Sequence, residues 1–156
     1  MAITGFSHIG ICVRDLEASV RFYRDVLGFQ LVARMSGIDH PDVARLLELE
    51  KLAMELVFVE RDGMRIELIR IASPAPSGGG KGPFNRVGFT HLSVKVTDFD
   101  MELHRLRALG VSLLENTIGS TSGSNARFAF MLDPDGNRIE LFGAIDEGAR
   151  KPWELA

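Results

Sequence analysis

The first run of alternating residues, Phe6-Ser7-His8-Ile9-Gly10-Ile11-Cys12-Val13, predicts a strand. Ile9, Ile11 and Val13 share one face, while His8, Gly10 and Cys12 share the other. Asp15 then stands as a helix N-cap, Leu16, Val20, Tyr23 and Leu27 recur at helical spacing, and Gly28 ends the helix. A second strand is predicted at about residues 29–34. Two more, at about 53–60 and 64–71, flank an Asp62-Gly63 turn as a hairpin. Between residues 36 and 52 the pattern is irregular: His40-Pro41-Asp42 breaks the chain, and Val43, Leu46, Leu47 and Glu50 suggest a short helix.

After a Pro-, Gly- and Ser-rich stretch with linker composition (residues 73–83) the pattern restarts. Residues 89–96 alternate as a strand with His91, Ser93 and Lys95 on one face. Asp98 caps a helix carrying Phe99, Leu103, Leu106 and Leu109, and Gly110 ends it. Strands follow at about 111–115, 127–132 and 137–142, with a Gly- and Ser-rich segment, 117–125, read as a mobile loop. The landmarks repeat in register. His91 follows His8 by 83 (91 − 8), and Asp98 follows Asp15 by 83 (98 − 15). Glu140 follows Glu67 by 73 (140 − 67), and each glutamate stands four residues after a turn glycine, Gly136 or Gly63. The ten-residue drop falls in the irregular segment 36–52. Two tandem strand–helix–three-strand units are therefore predicted, an α+β fold: residues 1–72, a linker at 73–88, residues 89–143, and a C-terminal tail at 144–156.

Composition narrows the classes. A chain of 156 residues with 25% charged residues and net charge −3 reads as globular, with no clustered basic face for nucleic acid. No apolar run suits a membrane span, the N-terminus lacks signal-peptide regions, and the only cysteine, Cys12, has no intrachain partner for a disulfide. A cytoplasmic protein is expected.

The repeat also carries chemistry. Each unit begins with a strand histidine and ends with a strand glutamate. If the units pair about a pseudo-twofold axis, His8, Glu67, His91 and Glu140 form a shell for one divalent metal, with nickel, cobalt, zinc, manganese and iron all compatible with N and O donors. A lone strand histidine is more often packing than ligand. Four such residues at equivalent places need four coincidences. His40 in a loop and His104 beside Arg105 and Arg107 lack that support, Tyr23 reads as helix packing, and Cys12 as a small cavity-facing residue.

These phrases resemble the vicinal oxygen chelate superfamily, which includes glyoxalase I, methylmalonyl-CoA epimerase, extradiol dioxygenases, fosfomycin-resistance enzymes and bleomycin-binding proteins. The resemblance runs from Phe6 to Phe142 and rests on His8-Ile9-Gly10-Ile11 with Asp15-Leu16-Glu17, on Phe22-Tyr23 before Leu27-Gly28-Phe29, and on Asp133-Pro134-Asp135-Gly136 with Ile139-Glu140-Leu141. It implies two βαβββ modules curling a partly open, barrel-like sheet around a metal cavity, helices outside. It implies the same four ligands, His8, Glu67, His91 and Glu140. A metal-bound carboxylate would serve as general base, Glu140 first and Glu67 second. The implied reaction is proton transfer α to a carbonyl or thioester through an enediolate or enolate, as in a metal-dependent lyase or isomerase.

Two rivals come from the same resemblance: an Fe(II) extradiol-type dioxygenase, disfavoured because Glu67 would fill a position such enzymes leave open, and a non-catalytic binder of the bleomycin-resistance kind. Glutathione-using members carry an arginine four residues after the first ligand and an asparagine four after the second. Here Cys12 and Ile71 stand there, and neither clamps a carboxylate. The opening residues look closer to the CoA epimerase. Related proteins draw their four ligands from one chain or from two, so a homodimer is expected, and Trp153 in the tail is read as an anchor on a neighbour.

Overall fold

The computed structural model describes residues 2–154. It divides into two compact units, Met1–Gly78 and Gly79–Ala156. The first runs β1 (Ile9–Cys12), α1 (Leu16–Arg21), β2 (Gln30–Ile38), α2 (Pro41–Leu46), β3 (Ala53–Arg61) and β4 (Met64–Ser73). The second runs β5 (Leu92–Val96), α3 (Phe99–Ala108), β6 (Leu113–Thr121), β7 (Ala126–Leu132) and β8 (Arg138–Ala144). Each unit holds its own four-stranded mixed sheet, ordered β1-β4-β3-β2 and β5-β8-β7-β6, and neither closes into a barrel. In both, the first strand lies parallel to the last and the other pairings are antiparallel. The two sheets thus share one topology, as the duplicated landmarks require.

The helices start where the capping signals stand. Asp15 accepts from the Ala18 N–H at 2.9 Å and Asp98 from the Met101 N–H at 3.0 Å, each satisfying an otherwise orphaned donor of the first turn. After α1 the chain takes one π-helical turn, Phe22–Val26. Both Phe22 and Tyr23 are buried there, and Tyr23 meets the Phe22 and Phe29 rings edge-on. One sheet face is buried in each unit. Val57, Val59, Ile66 and Leu68 are 0% exposed in the first, and Met131 and Ile139 are 0% exposed in the second.

Several boundaries depart from the sequence pattern. β1 and β5 begin at Ile9 and Leu92, so the residues before them stay unpaired, and Phe6 and Phe89 are exposed. β2 extends to Ile38, beyond the expected end near residue 34. His40-Pro41-Asp42 begins a helix rather than only breaking the chain: His40 Nδ1 accepts from the Asp42 N–H at 3.2 Å, and Pro41 fills the first turn, where its missing N–H costs nothing. The segment read as a mobile loop, 117–125, is largely strand. β6 runs to Thr121, and Thr117 Oγ1 bridges the bulge by donating to Leu114 O and accepting from the Phe130 N–H. Trp153 packs within its own unit, edge-on to Phe142 at 6.2 Å with Lys95 Nζ 5.6 Å from its ring. Among the described residues no helix is long and apolar enough to cross a membrane.

Candidate functional site

Strand alternation aims the two glutamates. β4 reads Ile66-Glu67-Leu68 and β8 reads Ile139-Glu140-Leu141, and the flanking apolar residues are all at most 1% exposed. Successive side chains leave a strand on opposite faces, so burying the neighbours turns each carboxylate to the other face. Each histidine precedes the first residue of the strand lying parallel to the glutamate's strand. The result is a pair in each unit. His8 Nε2 stands 3.2 Å from Glu67 Oε2, and His91 Nε2 stands 3.4 Å from Glu140 Oε2.

The surroundings repeat too, in residues that the pattern reading passed over. Ser7 Oγ lies 2.9 Å from His8 Nδ1, and Thr90 Oγ1 lies 2.9 Å from His91 Nδ1. A hydrogen bond at Nδ1 orients the ring and leaves Nε2 to face the carboxylate. Phe58 and Phe130 stand directly opposite Glu67 and Glu140 in the hairpin register, and each meets its histidine edge-on at 5.4 Å. The hydroxyls could have been found from sequence, since Ser7 and Thr90 keep the offset of 83 (90 − 7). The phenylalanines could not, because the offset there is 72 (130 − 58) and only the strand register aligns them.

The units differ around this shared frame. Opposite Glu67 stands Gly10. Opposite Glu140 stands Ser93, whose hydroxyl donates to Glu140 Oε2 at 2.8 Å. In the first unit, Met54 and Leu56 lie on the face of Glu67 and pack with Ala44 and Leu52 from the α2 segment, with Ile69 and Ile71 against them. The added segment therefore gives that face an apolar wall. In the second unit Phe84 stacks on His91 at 5.7 Å, while Lys95 and Phe142, with Trp153 upon them, occupy the far side of Glu140.

His40 caps α2 and His104 is exposed on α3; neither joins a pair. Cys12 is exposed, and Tyr23 is buried packing. Within each unit, among the described residues, no third His, Cys, Asp or Glu joins the pair.

A family model spans residues 5–141, a range that includes every strand of the first unit and most of the second. The chain belongs to the glyoxalase/bleomycin resistance protein/dioxygenase superfamily. The chain is similar to the Bacillus subtilis protein YwbC, 29% identical over 86% of this chain and 94% of its own, and to a protein of Vibrio parahaemolyticus, named a probable lactoylglutathione lyase, 29% identical over 86% of each. Among solved structures, a glyoxalase family protein of Bacillus cereus superposes with TM-score 0.78 at 21% identity, covering 92% of this chain and 98% of its own. The fosfomycin resistance protein FosX of Listeria monocytogenes, solved with Mn(II) and sulfate, superposes with TM-score 0.58 at 18% identity, covering 91% and 93%. At these identities the structures establish the fold. The superfamily hosts several chemistries on it.

Proposed function

We propose that the protein is a divalent-metal-dependent lyase or isomerase that moves a proton α to a carbonyl or thioester. The observation that carries this reading is the repeated donor pair, imidazole Nε2 to carboxylate Oε2 at 3.2 Å in one unit and 3.4 Å in the other. Two donors each about 2.1 Å from one ion stand roughly 3.0 Å apart at a right angle and roughly 3.4 Å apart at the tetrahedral angle. Both separations fall in that span. His8 and Glu67 would supply two ligands and His91 and Glu140 two more, drawn from one chain or from two copies. The donor set fits nickel, cobalt, zinc, manganese or iron.

Such an ion supplies Lewis acidity to a substrate carbonyl, which acidifies the neighbouring C–H. The side chains do the rest. The Ser7 and Thr90 hydroxyls hold the imidazoles. Ser93 fixes the plane of the Glu140 carboxylate, which is the first choice to take the proton from one carbon and return it to the next. Glu67, flanked by Gly10, has room to swing and is the second choice. Glutathione is not part of the proposal: Cys12 and Ile71 offer no clamp for its glutamyl carboxylate, and Ile71 packs in the apolar cluster of the first unit. A homodimer belongs to the proposal; β2 is an edge strand that exposes Leu31, Val32 and Met35.

Elemental analysis of tag-free protein, purified without chelator beside E67Q and E140Q, tests this. About one divalent ion per chain, reduced in both variants, is the expected result. Iron bound equally by the unaltered protein and E67Q but reduced in E140Q, together with oxygen uptake on catechols, would replace it with the dioxygenase reading. No metal after reconstitution would leave a binding protein.

A further inference from the structure

Among the described residues, one arginine on the glutamate face is left without an acidic partner, and the repeat shows that this is a difference between the units rather than a feature of the fold. Arg65 and Arg138 occupy equivalent places, each two residues before the unit's glutamate (67 − 65 and 140 − 138) and so on the same strand face. In the first unit Glu60 stands opposite Arg65 and binds it, with Nη2 2.6 Å and Nε 2.9 Å from Glu60 Oε2. In the second unit Leu132 stands opposite Arg138. Among the described residues no carboxylate pairs with Arg138.

The guanidinium is instead held from one side. Its Nη2 donates to Gly82 O at 2.8 Å, and its Cζ lies 5.5 Å from the Phe84 ring centre. Phe84 in turn stacks on His91 and tilts against Phe130 at 5.7 Å. The segment bearing Gly82 and Phe84 is pinned to the β7–β8 turn, where the Gly80 N–H donates to Asp135 O at 2.9 Å. An aromatic ring and a carbonyl thus fix the plane of a half-buried guanidinium with most of its five N–H donors uncommitted. That is the arrangement suited to a planar, bidentate anion.

We propose that Arg138, positioned by Phe84, is an anion subsite that reads a carboxylate or phosphate on the substrate. The proposal rests on the site reading above and deepens it. Arg138 lies one two-residue strand step, roughly 6.6 Å, from Glu140, so the anion sits a few bonds from the carbon that loses its proton. The substrate class is a small carbonyl compound with an anionic end.

The test needs neither metal nor turnover. Arginine Nε–Hε resonances of the labelled protein are followed during titration with sodium succinate and, separately, sodium phosphate, against sodium chloride at matched ionic strength. The Arg138 signal is assigned by its loss in R138K. The expected result is a saturable shift of the Arg138 signal with one or both probes, no saturable shift of Arg65, and affinity weakened roughly three- to fivefold in F84A, the scale of a lost ring–cation contact. The probe that saturates at lower concentration distinguishes a carboxylate from a phosphate. Non-saturating shifts shared by Arg138 and Arg65, or the same response to chloride, would reduce Arg138 to a staple for the segment at Gly82 and overturn the proposal. Because elemental analysis judges the metal site separately, either reading can fail alone.

Discussion

Alanine at Gly136 gives a worked test of how the second unit is held together. Gly136 has φ +84°, and a Cβ added there would lie 2.7 Å from Gly80 Cα and 3.4 Å from Gly80 N. Gly110, at the end of α3, has φ +69° and nothing within 4 Å of its added Cβ. Both substitutions carry the left-handed backbone penalty, about 1–2 kcal/mol for an L side chain. Only G136A also meets backbone. Carbon atoms pack at about 3.5–4.0 Å, so Gly80 must retreat by roughly 1 Å. That stretches the Gly80 N–H bond to Asp135 O, now 2.9 Å, beyond useful length. Losing that bond is worth about 0.5–1.5 kcal/mol net. G136A should therefore be less stable than G110A by about 1–3 kcal/mol, taking the residual strain as similar in size to the lost bond. The assay is urea unfolding followed by the fluorescence of Trp153, the single tryptophan, which sits on Phe142 in the same unit. The Gly80 amide should also exchange faster with solvent in G136A. Equal stability of the two variants within about 0.5 kcal/mol, the usual limit of additivity error, would refute the contact as a source of stability.

Further expectations follow from other parts of the structure. T90A, which removes the hydroxyl from His91 Nδ1, should weaken metal binding by on the order of tenfold in a chelator competition, with T90S restoring most of it. Leu106→Ala should destabilise the second unit by about 2–5 kcal/mol in the same urea assay, because its side chain is 0% exposed and leaves a cavity. The Arg24, Arg127 and Arg107 guanidinium groups, by hydrogen bonding, hold the Asp25, Asp100 and Glu115 carboxyls below their ordinary values. A depressed folded-state value stabilises above the ordinary carboxylate range and is lost as pH falls through the folded value. The melting temperature should hold from neutrality down to about pH 5 and drop below about pH 4, and 0.5 M salt should shrink the contribution of these exposed pairs. A melting temperature that stays level through pH 3, or a drop unchanged in R127M, would remove Asp100 from this account.

The duplication, the helix caps and the glutamate positions were all legible in the sequence, because each is written locally. Asp15 and Asp98 cap their helices through the first turn that follows, and Glu67 and Glu140 take their face from apolar neighbours one residue away. The short-range turn chemistry of Asp133-Pro134-Asp135-Gly136 is of the same kind: Asp133 accepts from the N–H groups of Asp135 and Asn137 at 3.0 and 2.7 Å. His40-Pro41-Asp42 misled because proline reads equally as a break and as a first-turn residue, and only the apolar contacts of Ala44 with Leu52 and Met54 settle which. The 117–125 segment misled because its Gly and Ser residues suit a loop. Gly119 is in fact required within the strand, where its missing side chain admits the Phe128 ring.

What the sequence by itself determined is therefore the repeat, the order of elements and the face each candidate ligand occupies, since strand period and capping act over a few residues. What only the tertiary structure decided is which side chains meet across strands. Phe58 and Phe130 against the histidines, Glu60 neutralising Arg65 while Leu132 leaves Arg138 without a carboxylate opposite, and Phe84 folded back upon His91 all depend on inter-strand register and on a chain segment pinned by the Gly80–Asp135 hydrogen bond. Register is set by the summed burial of whole strands and by turn length, and no local pattern encodes it.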